Sequence, residues 1–322
     1  MKNLEIILIN PRGFCAGVSR AVDIVDQALK LYGKPIYVRH EIVHNKIIVE
    51  EFKNKGVIFV KEISEIPIGA TAIFSAHGVA KAVEDSAKES QLNYIDATCP
   101  LVSKVHKEGI KYFDQGYQVI LIGHNHHPEV VGIAGRIPGK IFIISNEEEA
   151  RSLQLNQNKP IAYITQTTLS LDDTANIIEI LKERFPNITG PDSKNICYAT
   201  QNRQTAIKNI INEVDALIVV GSKNSSNSTR LKEIGDKNHK LAFLINNKQE
   251  LDYEALSSCN KIALSAGASA PEAMVQEILQ EMALHRHITL TNYQHVEENV
   301  IFALPKSLRN ALADLQINTP KP

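Results

Sequence analysis

Three cysteines, Cys15, Cys99 and Cys197, recur at intervals of about 80 to 100 residues, each after an apolar, strand-like run and just ahead of a helical pattern. LEIILIN leads into PRGFCAGV and then SRAVDIVDQALKLYG. NYIDATCPLV leads into SKVHKEGIKYFDQG, and NICYAT into QNRQTAIKNIINEVDA. A strand-to-helix junction turns unpaired backbone N–H groups and the positive end of the helix dipole toward the loop. That setting lowers a thiol's pKa and favours the thiolate, the form that attacks electrophiles or binds metal. Three thiolates from three like units point to one shared metal centre. None belongs to a C-x-x-C pair, so spacing excludes a zinc ribbon and a two-cluster ferredoxin. Cys259, in SSCNKIAL, opens a strand instead and reads as structural.

His40-Glu41-Ile42-Val43-His44 is a literal H-E-x-x-H, which on a helix would mark a zinc-dependent hydrolase. PIYVR before it is strand-like, however, and helical periodicity starts only near Asn45. His40 and His44 are therefore not expected to share a helical face, and His44, at the helix start, is the ring placed to reach a ligand. His77 in FSAHGVA and His124, His126 and His127 in LIGHNHHPEV also follow strands, with His77 and His127 as the candidate ligand contacts. Glu129 stands at the same strand mouth. It is a proton donor if burial raises its pKa, and otherwise a carboxylate complementing a helix dipole.

TQTTLS (165–170), the loop from Gly221 to Arg230 and the loop from Ser265 to Glu272 offer hydroxyl, amide and backbone donors at helix starts, which suits phosphate. None matches a Walker or G-x-G-x-x-G pattern, so a small anionic ligand is favoured over a nucleotide. Three cysteines around a cubane iron–sulfur cluster leave one iron without a protein ligand, able to act as Lewis acid and electron conduit. That chemistry suits reductive removal of a hydroxyl from a phosphorylated small molecule. Zinc held by three thiolates carries no electrons. The rivals are a zinc-dependent hydrolase built on His40 and His44, and a phosphate-ligand binding protein whose cysteines are structural.

The elements that must position these residues alternate between buried strands and helices. PIYVRHEIV, VIFV, TAIFSAHG, QVILIGHN, KIFIIS, PIAYITQTT, ALIVVGS, LAFLIN and KIALSAGA read as strands, and DDTANIIEILKERF, with Ile177, Ile178, Ile180 and Leu181 in register, as a helix. This is the signature of βαβ units and parallel sheets. The cysteine junctions divide the chain into an α/β block at 14–97, a second at 98–193 and a third made of 4–13 plus 194–281. Residues 282–322 read as a packed tail ending in a disordered NTPKP. Three small parallel sheets around a central site is the expected architecture, since ligands gather beyond the carboxyl ends of such strands. At 322 residues the core is large enough to need no disulfides. The net charge of −1 comes without a basic arm, so no nucleic-acid partner is expected. MKNLEIILIN is too short an apolar run to span a membrane, and a cytoplasmic protein with reduced cysteines follows.

NPRGFCAGV, YVRHEIVHN, FSAHGVA, DATCPLV, GHNHHPEV, TQTTLS, ICYATQNRQ, VVGSKNSSNS and SAGASAPE together closely resemble the LytB/IspH family of 4-hydroxy-3-methylbut-2-enyl diphosphate reductases, in order and from residue 4 to about 310. The resemblance implies three α/β domains in a pseudo-threefold trefoil around an oxygen-sensitive 4Fe–4S cluster ligated by Cys15, Cys99 and Cys197. It implies that His44, His77, His127, Ser225, Ser226, Asn227 and Ser269 contact the diphosphate, that Thr167 orients the substrate hydroxyl and that Glu129 relays protons to it. Electrons would come from a flavodoxin or ferredoxin system, and the products would be isopentenyl and dimethylallyl diphosphate, at the end of the non-mevalonate isoprenoid pathway. Ser19, where an acidic residue is expected, and Gln201, in place of a second Thr, depart from the pattern without touching an implied ligand.

Overall fold

Runs of Ile, Val and Leu too short for a helix form the strands, and the amphipathic stretches between them form helices. In the computed structural model, which describes residues 2–191 and 195–318, the chain begins β1 (Asn3–Asn10), α1 (Ala16–Tyr32), β2 (Ile36–Arg39), α2 (Lys46–Asn54), β3 (Val57–Val60), β4 (Thr71–Phe74), α3 (Lys81–Glu89) and β5 (Asn93–Asp96). It continues α4 (Pro100–Asp114), β6 (Gln118–Ile122), α5 (Pro128–Ala134), β7 (Ile141–Ile144), α6 (Glu147–Ser152), β8 (Ile161–Thr165) and α7 (Leu171–Arg184). The remainder is α8 (Tyr198–Ile210), β9 (Ala216–Val220), α9 (Ser226–Lys237), β10 (Leu241–Ile245), β11 (Lys261–Ala266), α10 (Glu272–His285), β12 (His287–Gln294) and α11 (Lys306–Asn318). Of the NTPKP end expected to be disordered, Thr319–Pro322 lie outside the described residues.

The strands form three sheets, ordered β10-β9-β11-β1-β12, β3-β2-β4-β5 and β7-β6-β8, and every pairing is parallel. The α/β class with three small parallel sheets is as the alternation predicts. Strands such as β9, buried at all five positions, are near-continuously apolar because a parallel sheet is covered on both faces. By contacts the chain separates into two units. One comprises the residues up to Cys15, Thr168–Leu171 and Ile196–Val300. The other comprises Ala16–Thr167, Asp172–Asn195 and the chain from Ile301 onward.

The first unit holds the five-stranded sheet. Its core packs Ile7, Ile9, Leu217 and Val219 of the sheet against Ile207 and Ile210 of α8 and Leu231 of α9. β12 pairs with β1 along its whole length, from Asn3↔His287 to Asn10↔Gln294, although these residues read as tail in the sequence. Arg203 of α8 is fully buried. It donates to the carbonyls of Ala199 at 3.0 Å and Gly13 at 2.8 Å and to both carboxylate oxygens of Glu298 at 3.0 and 3.2 Å. Removing the carboxylate strands a buried cation, so Glu298→Ala is expected to destabilise the protein by about 3 kcal/mol, read as a lower urea midpoint. An unchanged midpoint would show that the two carbonyls suffice.

The second unit holds the four- and three-stranded sheets. Here α5 lies against the loop that follows β4. A Cβ at Gly132 would meet the Gly78 carbonyl carbon at 3.2 Å, and Gly78 itself has φ +79°, a conformation open to glycine. This close approach fixes the start of α5 relative to the residue before Gly78, which is His77. Two local expectations differ from the structure. The strand read through PIYVRHEIV stops at Arg39, where His40 turns the chain with φ +59°. Among the described residues no strand directly precedes Cys197, and Thr189 forms an isolated bridge to Ala162.

Candidate active site

In the second unit three imidazoles meet where β2, β4 and β6 end. His44 precedes Asn45, whose side chain caps α2 by accepting from the N–H groups of Ile47 and Ile48. His77 follows β4, with Nδ1 3.2 Å from Ser75 Oγ. His127 is the N-cap of α5, its Nδ1 accepting from the Glu129 N–H at 3.2 Å. Ring centroids are 4.1 Å apart for His44 and His77, 5.5 Å for His44 and His127, and 5.9 Å for His77 and His127. Because a backbone N–H only donates, the neutral His127 ring carries its hydrogen on Nε2. His44 turns Nδ1 to Glu41 Oε2 at 3.1 Å. Burial, and then the neighbouring rings of His44 and His127, hold His77 well below the ordinary imidazole range. Burial, reinforced by His44 and His124, pushes His127 down to about 3. These two rings are neutral near pH 7, and an anion bound beside them would favour their protonated forms.

Glu129, two residues beyond His127, is 2% exposed. Its carboxyl does not cap its own helix but reaches the loop after β8, where Oε1 accepts from the Thr167 N–H at 2.7 Å and Oε2 from Thr167 Oγ1 at 2.9 Å. Burial outweighs these two bonds and raises the carboxyl to about 7. Near neutral pH Glu129 therefore holds its proton part of the time, as a general acid requires. Cys99, in the same unit, is the N-cap of α4. Its N–H bonds the Ala76 carbonyl at 3.0 Å, one residue before His77.

The first unit carries Cys15, Cys197 and the hydroxyl loops. The Cys15 N–H bonds the Ala268 carbonyl at 3.1 Å, and Cys197 is the N-cap of α8, with Sγ 3.2 Å from Thr200 Oγ1. Ser225 caps α9 by accepting from the Ser228 N–H, and Ser226 donates to the Thr168 carbonyl at 2.9 Å. Asn227 ties α9 to the loop after β11 by accepting from the Ala268 N–H at 2.9 Å, beside Ser269. A Cβ at Gly221 or Gly267 would collide with the Ser228 hydroxyl, so glycine at both strand ends lets the first turn of α9 sink between the loops. Ser225, Ser226, Asn227 and Ser269 are thus gathered in one unit, as His44, His77, His127, Glu129 and Thr167 are in the other. Cys259 stands apart, 2% exposed, with burial pushing its thiol up.

Residues 40–44 are irregular, with α2 beginning only at Lys46, so the H-E-x-x-H places no pair of rings on a helical face. Among the described residues no group of three or more His, Cys, Asp or Glu side chains is placed to hold a single metal ion. His126, at φ +68°, is exposed. Thr200 went unnoticed in the sequence, although its position three residues after Cys197 puts the two on one helical face. Gln201, the departure noted above, donates to the Ile196 carbonyl just ahead of Cys197.

A sequence profile described as LytB protein matches residues 6–283. This chain belongs to the LytB family. Among LytB-family relatives, the 4-hydroxy-3-methylbut-2-enyl diphosphate reductase of Methylococcus capsulatus is 49% identical over 309 residues, covering 95% of this chain and 99% of the relative. The enzyme of the same name from Burkholderia pseudomallei is 49% identical over 310 residues, covering 96% and 99%. The solved structure of the E-1-hydroxy-2-methyl-but-2-enyl-4-diphosphate reductase from Plasmodium falciparum superposes with a TM-score of 0.93 at 40% identity, covering 98% of this chain and all of that one. A second LytB-family structure, titled as (E)-4-hydroxy-3-methyl-but-2-enyl diphosphate reductase, the terminal enzyme of the non-mevalonate pathway, gives a TM-score of 0.63 at 30% identity, covering 87% and 99%.

Proposed function

We propose that this protein reductively dehydroxylates (E)-4-hydroxy-3-methylbut-2-enyl diphosphate to isopentenyl and dimethylallyl diphosphate, the last step of the non-mevalonate isoprenoid pathway. The observation that carries this reading is the 49% identity, over nearly the whole chain, to enzymes named for that activity. The buried Glu129–Thr167 pair beside three imidazoles supplies the chemistry it needs. In the H-E-x-x-H segment, by contrast, nothing supports a zinc hydrolase.

We assign Cys15, Cys99 and Cys197 as ligands of one 4Fe–4S cluster with an open iron. The donor set fits: all three are cysteines outside any disulfide and of intermediate exposure, two are helix N-caps, and Cys15 directly precedes α1. Each thiolate of a cubane bonds its own iron, so such ligands do not converge on one ion as zinc ligands do. When bound, the cluster supplies electrons and a Lewis-acidic iron. The blocks 14–97, 98–193 and 4–13 plus 194–281 are the proposed domains, each contributing one cysteine, with β12 added to the third.

The chain's own residues do the rest. His44, His77 and His127, with Ser225, Ser226, Asn227 and Ser269, bind the diphosphate. Thr167 orients the substrate hydroxyl, and Glu129 gives its proton to that oxygen as the C–O bond breaks. Two electrons and two protons convert the substrate to product and water, the second proton going to either of two allylic carbons. A flavodoxin or ferredoxin is the proposed electron donor and the cytoplasm the proposed compartment. No helix among the described residues is long and apolar enough to cross a membrane.

The visible spectrum of anaerobically purified protein tests the assignment. A brown sample that bleaches with dithionite is expected. Protein that stays colourless after anaerobic reconstitution with iron and sulfide would overturn it.

A further inference from the structure

A line of hydrogen bonds in the first unit runs from one peptide group to the sulfur of Cys197, and its direction can be read end to end. The Ala268 N–H lies 2.9 Å from Asn227 Oδ1. A backbone N–H only donates, so the amide oxygen of Asn227 faces Ala268 and its NH2 faces the other way. That NH2 lies 3.3 Å from Thr200 Oγ1, which must accept from it. The Thr200 hydroxyl keeps its own hydrogen, and Cys197 Sγ lies 3.2 Å away, within its reach. A metal-bound Cys197 is a thiolate, which only accepts, and that makes the Thr200 hydroxyl the donor. Thr200 is fully buried and Asn227 is 4% exposed, so the line is shielded from bulk water. The carbonyl of Ala268 meanwhile accepts from the Cys15 N–H at 3.1 Å.

We propose that Thr200 is a positioning and tuning residue for the Cys197 ligand, its hydroxyl donating to Sγ and making the bound centre easier to reduce. This rests on the cluster assignment made above. Thr200 need not touch substrate, and its effect passes through the sulfur. Hydrogen bonds to cluster sulfurs are among the determinants of reduction potential, because added electron density spreads onto the sulfurs and strengthens every bond they accept. A dry setting enlarges the effect. Asn227 belongs to the same device: its amide oxygen accepts from Ala268 and one of its two amide hydrogens goes to Thr200, polarising that hydroxyl toward sulfur.

The test compares wild-type protein with Thr200→Val, Thr200→Ala and Thr200→Ser, each reconstituted anaerobically, assayed for iron and sulfide, and titrated for its midpoint potential by visible absorption. Wild type and Thr200→Ser are expected to share a midpoint. Thr200→Val and Thr200→Ala are expected to be harder to reduce by about tenfold in equilibrium constant, about 59 mV for a one-electron couple. Ser and Ala differ by the hydroxyl alone, so that comparison decides the matter even where the Val variant fails to fold. Coinciding midpoints in Ser and Ala, or a Ser variant displaced from wild type along with Ala, would overturn the proposal. Wild-type protein that takes up no iron overturns the cluster assignment instead, and does so before any potential is measured.

Discussion

Replacing Glu129 with Gln is expected to lower kcat by about 10²- to 10⁴-fold while leaving the cluster and substrate binding in place. The two side chains have the same shape, and Gln keeps an acceptor for the Thr167 N–H, so the loop after β8 has no reason to move. What disappears is the transferable proton. The pH dependence offers a second signature. With the carboxyl raised to about 7 by burial, the wild-type rate should fall as pH rises through that value and the acid form is lost. In Glu129→Gln that limb should vanish. Stability follows the same titration. The folded state holds this proton more tightly than the unfolded chain, so the stabilisation is fully present below about 4.5 and is lost as pH rises through about 7. Urea midpoints at pH 5 and pH 8 should therefore differ less in the variant than in the wild type. A variant with full activity would remove Glu129 from the proton path.

Cys99→Ser is expected to lose iron and activity together, falling to background in both, and Cys15→Ser and Cys197→Ser should behave alike. Iron–sulfur clusters are held by cysteine thiolates, whereas a serine hydroxyl keeps its proton at neutral pH and is a poor ligand for iron. Cys259→Ala is the control. That thiol is 2% exposed, its pKa is pushed up by burial, and it caps the C-terminal end of a short 3-10 helix two residues before β11 rather than standing at a helix N-terminus. It should retain iron and rate and lose only some stability through the small cavity. A Cys99→Ser protein with full iron content and the wild-type rate would refute the three-thiolate centre.

Much of this was legible in the residues. The parallel sheets were, because a strand buried on both faces is written as an unbroken apolar run, as in VIFV, QVILI and ALIVV. The cysteine junctions were legible because three coincidences of type and place are hard to explain by packing alone. β12 was missed for the opposite reason. HITLTNYQ occupies a sheet edge, exposed at most positions, so burial wrote no clear pattern into it. NICYAT looked like a third strand because Ile196 is apolar and buried, yet that burial serves a loop leading to a helix cap. The pairing of Glu129 with Thr167 spans 38 positions, and Arg203 reaches Glu298 and Gly13 across 95 and 190, which no local period can announce. Thr200 is the exception, a contact with Cys197 that the three-residue spacing permitted.

β1 precedes every other described strand and has neighbours on both sides, yet those neighbours, β11 and β12, lie about 250 to 280 residues further along the chain. At typical synthesis rates it waits roughly 15 to 50 s on the ribosome before either exists. During that interval LEIILIN has two open edges and no cover. Everything hung on this sheet, the Cys15 loop included, has to wait with it. The loop that carries Cys15, proposed above as an iron ligand, is thus fastened only after β11 and β12 have emerged, so cluster loading at that ligand is expected late in synthesis.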